Sequence, residues 1–174
     1  MELEPHPSPI RSNPLWYNIF DGRAEGFATG FEEMMMHAGL FDNRPQAREL
    51  VWILLAQRAA RALGGLYQHG GVMTLEEATK FADKWTPRGY LPWDGSTIQH
   101  EQHFYLRQPA YGTSYVIGKL EVERLFAEYA REKGDAFSLY DFMDEFNKAG
   151  MIPVSLMNWE MNNIDSDIQQ IMGQ

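Results

Sequence analysis

The 174-residue chain is the size of one domain, or of one part of a larger one, and its 44% apolar content is enough to bury a core. A formal net charge of −9, with no cluster of Lys or Arg, excludes a nucleic-acid backbone as the main partner, and the absence of cysteine excludes disulfides, thiol nucleophiles and thiolate metal sites. There is no run of about 18 apolar residues and hence no expected membrane span; the first residues lack the basic and apolar regions of a signal peptide, so the expected location is cytoplasmic, with secretion of a longer precursor left open.

Residues 1–14 hold four prolines and are expected to form an extended arm. A single helical domain follows over 15–160. Its first helix carries Phe27, Phe31, Met34, Met35 and Ala38 as an apolar stripe, with Gly39 as its stop. A second starts after Asp42 or Asn43, with Pro45 suited to its first turn, and continues to about His69 with Leu50, Val51, Leu54, Leu55 and Ala62 on its apolar face. Thr74 and Glu77 predict a capping box for "TLEEATKFADKW", which Pro87 ends. After the loop "TPRGYLPWDGS", "TIQHEQHFYLRQ" reads as a helix, and a long one runs from Ala110 to Lys133, closed by Gly134. Ser138 with Asp141 starts the next, Gly150 stops it, and a short apolar segment precedes a polar tail over 161–174 that is expected to fray. Val and Ile are too sparse for strands. The fold class is all-α, with about six to seven helices.

Several residues stand out from this pattern. "RAEGFATGFEE", residues 23–33, places Glu25 and Glu32 seven apart, on one helical face distinct from the Phe27/Phe31 stripe. They are either a solvated acidic first turn or, since Gly26, Ala28, Thr29 and Gly30 permit close approach of another element, part of a metal site or a buried ion pair. Arg58 sits on an apolar stripe, where a guanidinium is either paired or extends to the rim. His69 shares the Arg58 face and is either structural or functional. "HEQHF", residues 100–104, is one residue short of the HExxH zinc motif; His100 and His103 at i and i+3 can still converge on a metal, giving a self-contained site with Glu25 as one alternative. Tyr111 and Tyr115, one turn apart, are either core phenols or donors to a developing oxyanion.

Four stretches, in order, resemble one bacterial family. "AEGFATGFEE" is similar to an EGWAxYxE element, "RAARALGGLYQHGGVMTLEEA" to RxxRLxxDxGLHxxGxxxxxA, "QPAYGTSYVIGK" to PGQAxSYxxGx, and "FSLYDFMDEFNKAGMIPVSLM" to FDLRDFHDxxLxxGxxPLxxL. They resemble the C-terminal part of the family called domain of unknown function 885, whose members look like helical zinc metallopeptidases of the HExxH-plus-glutamate kind. The likeness runs from about His6 to Trp159. It implies that Glu25 is a third zinc ligand, that His69 and Tyr115 face a cleft and stabilise a tetrahedral intermediate, and that Arg58 supports them. Tyr111 stands beside Tyr115 as a second cleft candidate. The sequence departs from the pattern at Phe27, at Ala110-Tyr111-Gly112 in place of Gly-Gln-Ala, and at Met143 in place of a histidine.

The histidine-glutamate helix that would complete the zinc site is expected to precede the Pro-rich arm and to lie outside this chain. The expectation is therefore a peptidase portion that binds peptide substrate only when completed by an N-terminal half, does not hold zinc alone and is inactive alone. The alternative is a non-catalytic helical interaction module. Self-association through Met34–Met36 and Trp-rich surfaces is expected in either case.

Overall fold

A computed structural model describes residues 7–8, 11 and 21–173. Among these there are eight α-helices and no strand. They are α1 (Asp21–His37), α2 (Pro45–His69), α3 (Leu75–Trp85), α4 (Ser96–Arg107), α5 (Tyr111–Lys133), α6 (Leu139–Lys148), α7 (Val154–Asn162) and α8 (Ser166–Met172).

The helix boundaries follow local chemistry. Pro45 opens α2, where its missing N–H costs no intrahelical bond. Thr74 and Glu77 form the full capping box of α3: the Thr74 hydroxyl accepts from the Glu77 N–H at 3.2 Å, and the Glu77 carboxylate accepts from the Thr74 N–H at 2.8 Å. Ser138 accepts from the Asp141 N–H at 3.3 Å and caps α6 in one direction only. Gly134, at φ 51°, ends α5 in a left-handed conformation that side-chain-bearing residues avoid.

α5 is the central element and meets α1, α2 and α7. Two apolar clusters lie around it. The larger joins Val122, Leu125 and Tyr129 of α5 to Phe142 and Phe146 of α6 and to Val154 and Met157 of α7. The smaller gathers Ala60, Ala82, Leu91 and Ile98 between α2, α3 and α4. A buried amide chain also ties α2 to α4: Gln68 donates to Gln102 at 2.7 Å, and Gln102 donates to the Arg61 carbonyl at 3.1 Å. Met36, expected at an exposed methionine surface, is instead a core residue at 1% exposure, because its place on α1 turns it inward.

At the C-terminal end, the residues read as a polar tail contain α8, which Arg124 of α5 holds through Asp167 at 3.0 Å. Of the Pro-rich arm, Arg11 is described: it pairs with Glu160 at 2.7 Å, and its carbonyl accepts from the Met151 N–H at 3.1 Å. The Arg11 N–H also donates to the Ser8 carbonyl at 3.1 Å, and apart from residues 7–8 and 11 the stretch lies outside the described residues.

Candidate functional site

The glycines of "RAEGFATGFEE" set the distance between α1 and α5. A Cβ on Gly26 would stand 2.1 Å from the Gly118 carbonyl carbon, and one on Gly118 would stand 2.1 Å from the Gly22 carbonyl oxygen. Only backbone fits there, so the two helices touch main chain to main chain. This contact carries Glu25 on α1 toward the start of α5.

The start of α5 is itself unusual. Ala110, its N-cap, adopts φ 67°, a left-handed conformation that costs an alanine about 1 kcal/mol or more. The PGQAxSYxxGx pattern that this stretch resembles has glycine at this place. The turn delivers Tyr111 as the first helical residue, and its hydroxyl donates a short hydrogen bond to Glu25 Oε1. The Tyr111 ring stands edge-on to Phe104, with centroids 4.8 Å apart, and lies 5.7 Å from the ring of Tyr115 one turn later.

Two arginines of α2 flank Tyr115, with guanidinium carbons 5.7 Å (Arg58) and 5.6 Å (Arg61) from its ring centroid. Each has a carboxylate partner. Arg58 makes a two-pronged pair with Glu32 of α1, at 2.6 and 2.9 Å. Arg61 pairs with Glu101 of α4 at 3.1 Å. The charged residues Glu25, Glu32, Glu101, Arg58 and Arg61, from α1, α2 and α4, therefore sum to one net negative charge around the tyrosines of α5.

Burial and negative neighbours shape its protonation. The Tyr111 phenol is pushed far above its ordinary range by burial and then by its hydrogen bond to Glu25. Burial also raises Tyr115 and Tyr105, the latter despite nearby Arg61. The hydrogen bonds to Glu32 raise Arg58 further, against the opposing effect of burial. All three phenols therefore remain protonated donors at neutral pH. They can donate to an anionic group but cannot serve as bases.

The structure thus brings Glu25, Tyr111, Tyr115 and Arg58 together. His69 is held by α4: its Nε2 donates to the Tyr105 carbonyl at 2.9 Å, and it lines a small cavity with Tyr105, Ala110 and Gly112, the last two on either side of Tyr111. Of "HEQHF", Glu101 reaches the cluster, whereas His100 stacks on Phe104 and His103 is exposed. Sequence reading did not single out Glu101, Arg61 and Tyr105, although Arg58 and Arg61 at i and i+3 marked a common face.

Among the described residues, no group of three or more His, Asp or Glu side chains is placed to hold a metal ion. The cluster offers a carboxylate, Glu25, braced by a phenol, with no imidazole beside it. As a donor set it fits one corner of a zinc site and does not make such a site by itself.

The profile of the family described as bacterial protein of unknown function (DUF885) matches residues 6–161. The match spans most of the chain, and the protein belongs to this family. Among curated proteins and solved structures, nothing matches it. Among the described residues, no helix is long and apolar enough to cross a membrane.

Proposed function

We propose that the chain forms one wall of a metal-dependent, peptide-hydrolysing cleft, in which Glu25 contributes a metal ligand and Tyr111 and Tyr115 face the substrate. The supporting observation is the convergence of Glu25, Tyr111, Tyr115 and Arg58 from three helices, each on a stretch that resembles a family motif. Tyr111 engages one Glu25 oxygen and fixes the carboxylate's orientation, as groups behind a metal ligand do. The Arg58–Glu32 pair supports the face of Tyr115. With the Tyr111 proton held by Glu25, the neutral Tyr115 phenol supplies the hydrogen-bond donor for a substrate oxygen that gains charge. The remaining metal ligands and a general base come, in this reading, from a histidine-glutamate helix outside the described residues.

A second reading, an interaction module without catalysis, is favoured by the mutual satisfaction of the cluster, in which Arg58, Arg61 and Glu25 each already have a partner.

Zinc content separates the two. The purified chain is analysed after mild chelation and zinc re-addition, alone and together with the histidine-bearing N-terminal half of a family member. The first reading expects no stoichiometric zinc in the chain alone. It expects one zinc per completed assembly, lost on Glu25→Ala, together with peptide hydrolysis that is also lost. A completed assembly whose zinc is indifferent to Glu25 would overturn it. One zinc in the chain alone, lost on Glu25→Ala, would show instead that the site is complete here.

A further inference from the structure

The opposite face of α1 holds a feature that the Glu25 cluster does not use. Beyond the Gly26–Gly118 contact, residues of α1 and α5 line an open cavity of about 160 Å³, walled by Phe27, Phe31, Met34 and Phe126 with Gly30 between them. Engineered apolar cavities of about 150 Å³ accept benzene.

Gly30 differs in kind from Gly26. A Cβ there would meet only the Lys119 Cγ, at an ordinary 3.7 Å, so close packing does not require glycine. Glycine inside a helix nevertheless costs stability relative to alanine. What its missing side chain provides is room in the cavity.

The cavity edge is acidic. Glu33 and Glu123 both line it, and both pair with Lys119, so two carboxylates share one ammonium. The Glu123 side chain is 42% exposed and keeps acceptor capacity toward solvent. His37 lies 3.5 Å from Glu33 at the same edge, and neither lysine nor arginine is among the lining residues. Aromatic faces with a residual negative charge attract cations.

We propose that this cavity binds a small apolar cation, a benzene-sized group that carries a primary ammonium, with the ring between Phe27, Phe31 and Phe126 and the ammonium at Glu123 and Glu33. The site is separate from the proposed cleft, and its existence does not depend on that reading.

The test is an NMR titration of the full chain, following the Gly30 amide and the Met34 methyl. The probes are 2-phenylethylammonium, the neutral 2-phenylethanol and the anionic 3-phenylpropanoate. Saturable shifts at both positions are expected with the amine, which should bind about tenfold more tightly than the alcohol, the equivalent of about 1.4 kcal/mol. The carboxylate should give no saturable shift. Glu123→Gln, at an exposed position, should bring the amine and alcohol affinities close together while leaving the alcohol's unchanged. Gly30→Leu should abolish binding of both, with helicity checked by circular dichroism. Amine and alcohol binding equally, or saturable shifts absent from Gly30 and Met34, would overturn the proposal. So would a folded Gly30→Leu variant that binds as before, or an amine preference that survives Glu123→Gln.

Discussion

α1 meets α5 in two different ways within two turns. At Gly26 the helices touch backbone to backbone, and the space for even one methyl group is taken by Gly118. At Gly30, four residues on, a methyl group would find ordinary van der Waals distance and an open cavity beyond. The same residue type therefore does opposite work in one helix. The first glycine is a requirement of packing, and it brings Glu25 to Tyr111. The second is a local weakness that packing does not explain. Spacing in the sequence makes the two look equivalent; the coordinates of the neighbouring helix separate them.

The sharpest way to break this comparison is Gly26→Ala. The new Cβ meets main chain that no rotamer change can move, so α1 must shift away from α5. The expected loss is at the upper end of overpacking costs, about 3 kcal/mol or more, read as a fall in the urea midpoint. Wild-type stability in this variant would mean that the two helices slide past each other freely, and Glu25 would not be fixed against Tyr111.

The next effect concerns what the contact positions. Arg58→Met keeps the aliphatic stem and removes the fork to Glu32. Glu32 is partly exposed and can take water, so the cost is discounted to about 1–2 kcal/mol, below that of a fully buried pair. A double-mutant cycle with Glu32→Gln should recover most of this as coupling, and additive losses would show that the pair is not a unit. Tyr111→Phe removes one hydrogen bond to a carboxylate, worth about 1 kcal/mol or slightly more. In the proposed cleft the same change would also loosen the orientation of Glu25, so its zinc affinity in the completed assembly should fall further than its stability.

Much of the helical order was legible because helix ends carry local chemistry. Pro45, the Thr74–Glu77 box and Gly134 act through neighbours a few residues away, and each terminates or starts a helix where expected. α8 was not legible. Seven polar-rich residues are too short to be helical on their own, and the Arg124–Asp167 contact that holds them comes from a helix 43 residues earlier. The candidate site was half legible for a similar reason. Glu25, Arg58, Tyr111 and Tyr115 each broke an apolar or helical pattern and so drew notice. The pairing of Arg58 with Glu32 and of Arg61 with Glu101 depends on how α1, α2 and α4 are set around α5, which periodicity within one helix does not encode. His69 shows the same limit: its bond to the Tyr105 carbonyl depends on how α2 and α4 meet, which the residues around it do not encode.

The smallest effect has the opposite sign and completes the comparison. Gly30→Ala adds a methyl group where Lys119 Cγ is its nearest neighbour at 3.7 Å, and it removes the extra backbone freedom of glycine from the unfolded chain. Nothing has to move, and the helix gains a better former. Stability should rise by about 0.5–1 kcal/mol, the usual difference between the two residues inside a helix. The matched pair, Gly26→Ala falling and Gly30→Ala rising, should then differ by several kcal/mol although both substitutions add one methyl group to α1. If both fell, the groove would be closed in solution and Gly30 would be a second packing glycine. If both rose, the helices would be too loosely held for the Glu25–Tyr111 contact to orient anything. A loss confined to Gly26 and a gain confined to Gly30 is what an α1 that is clamped at one turn and open at the next must produce.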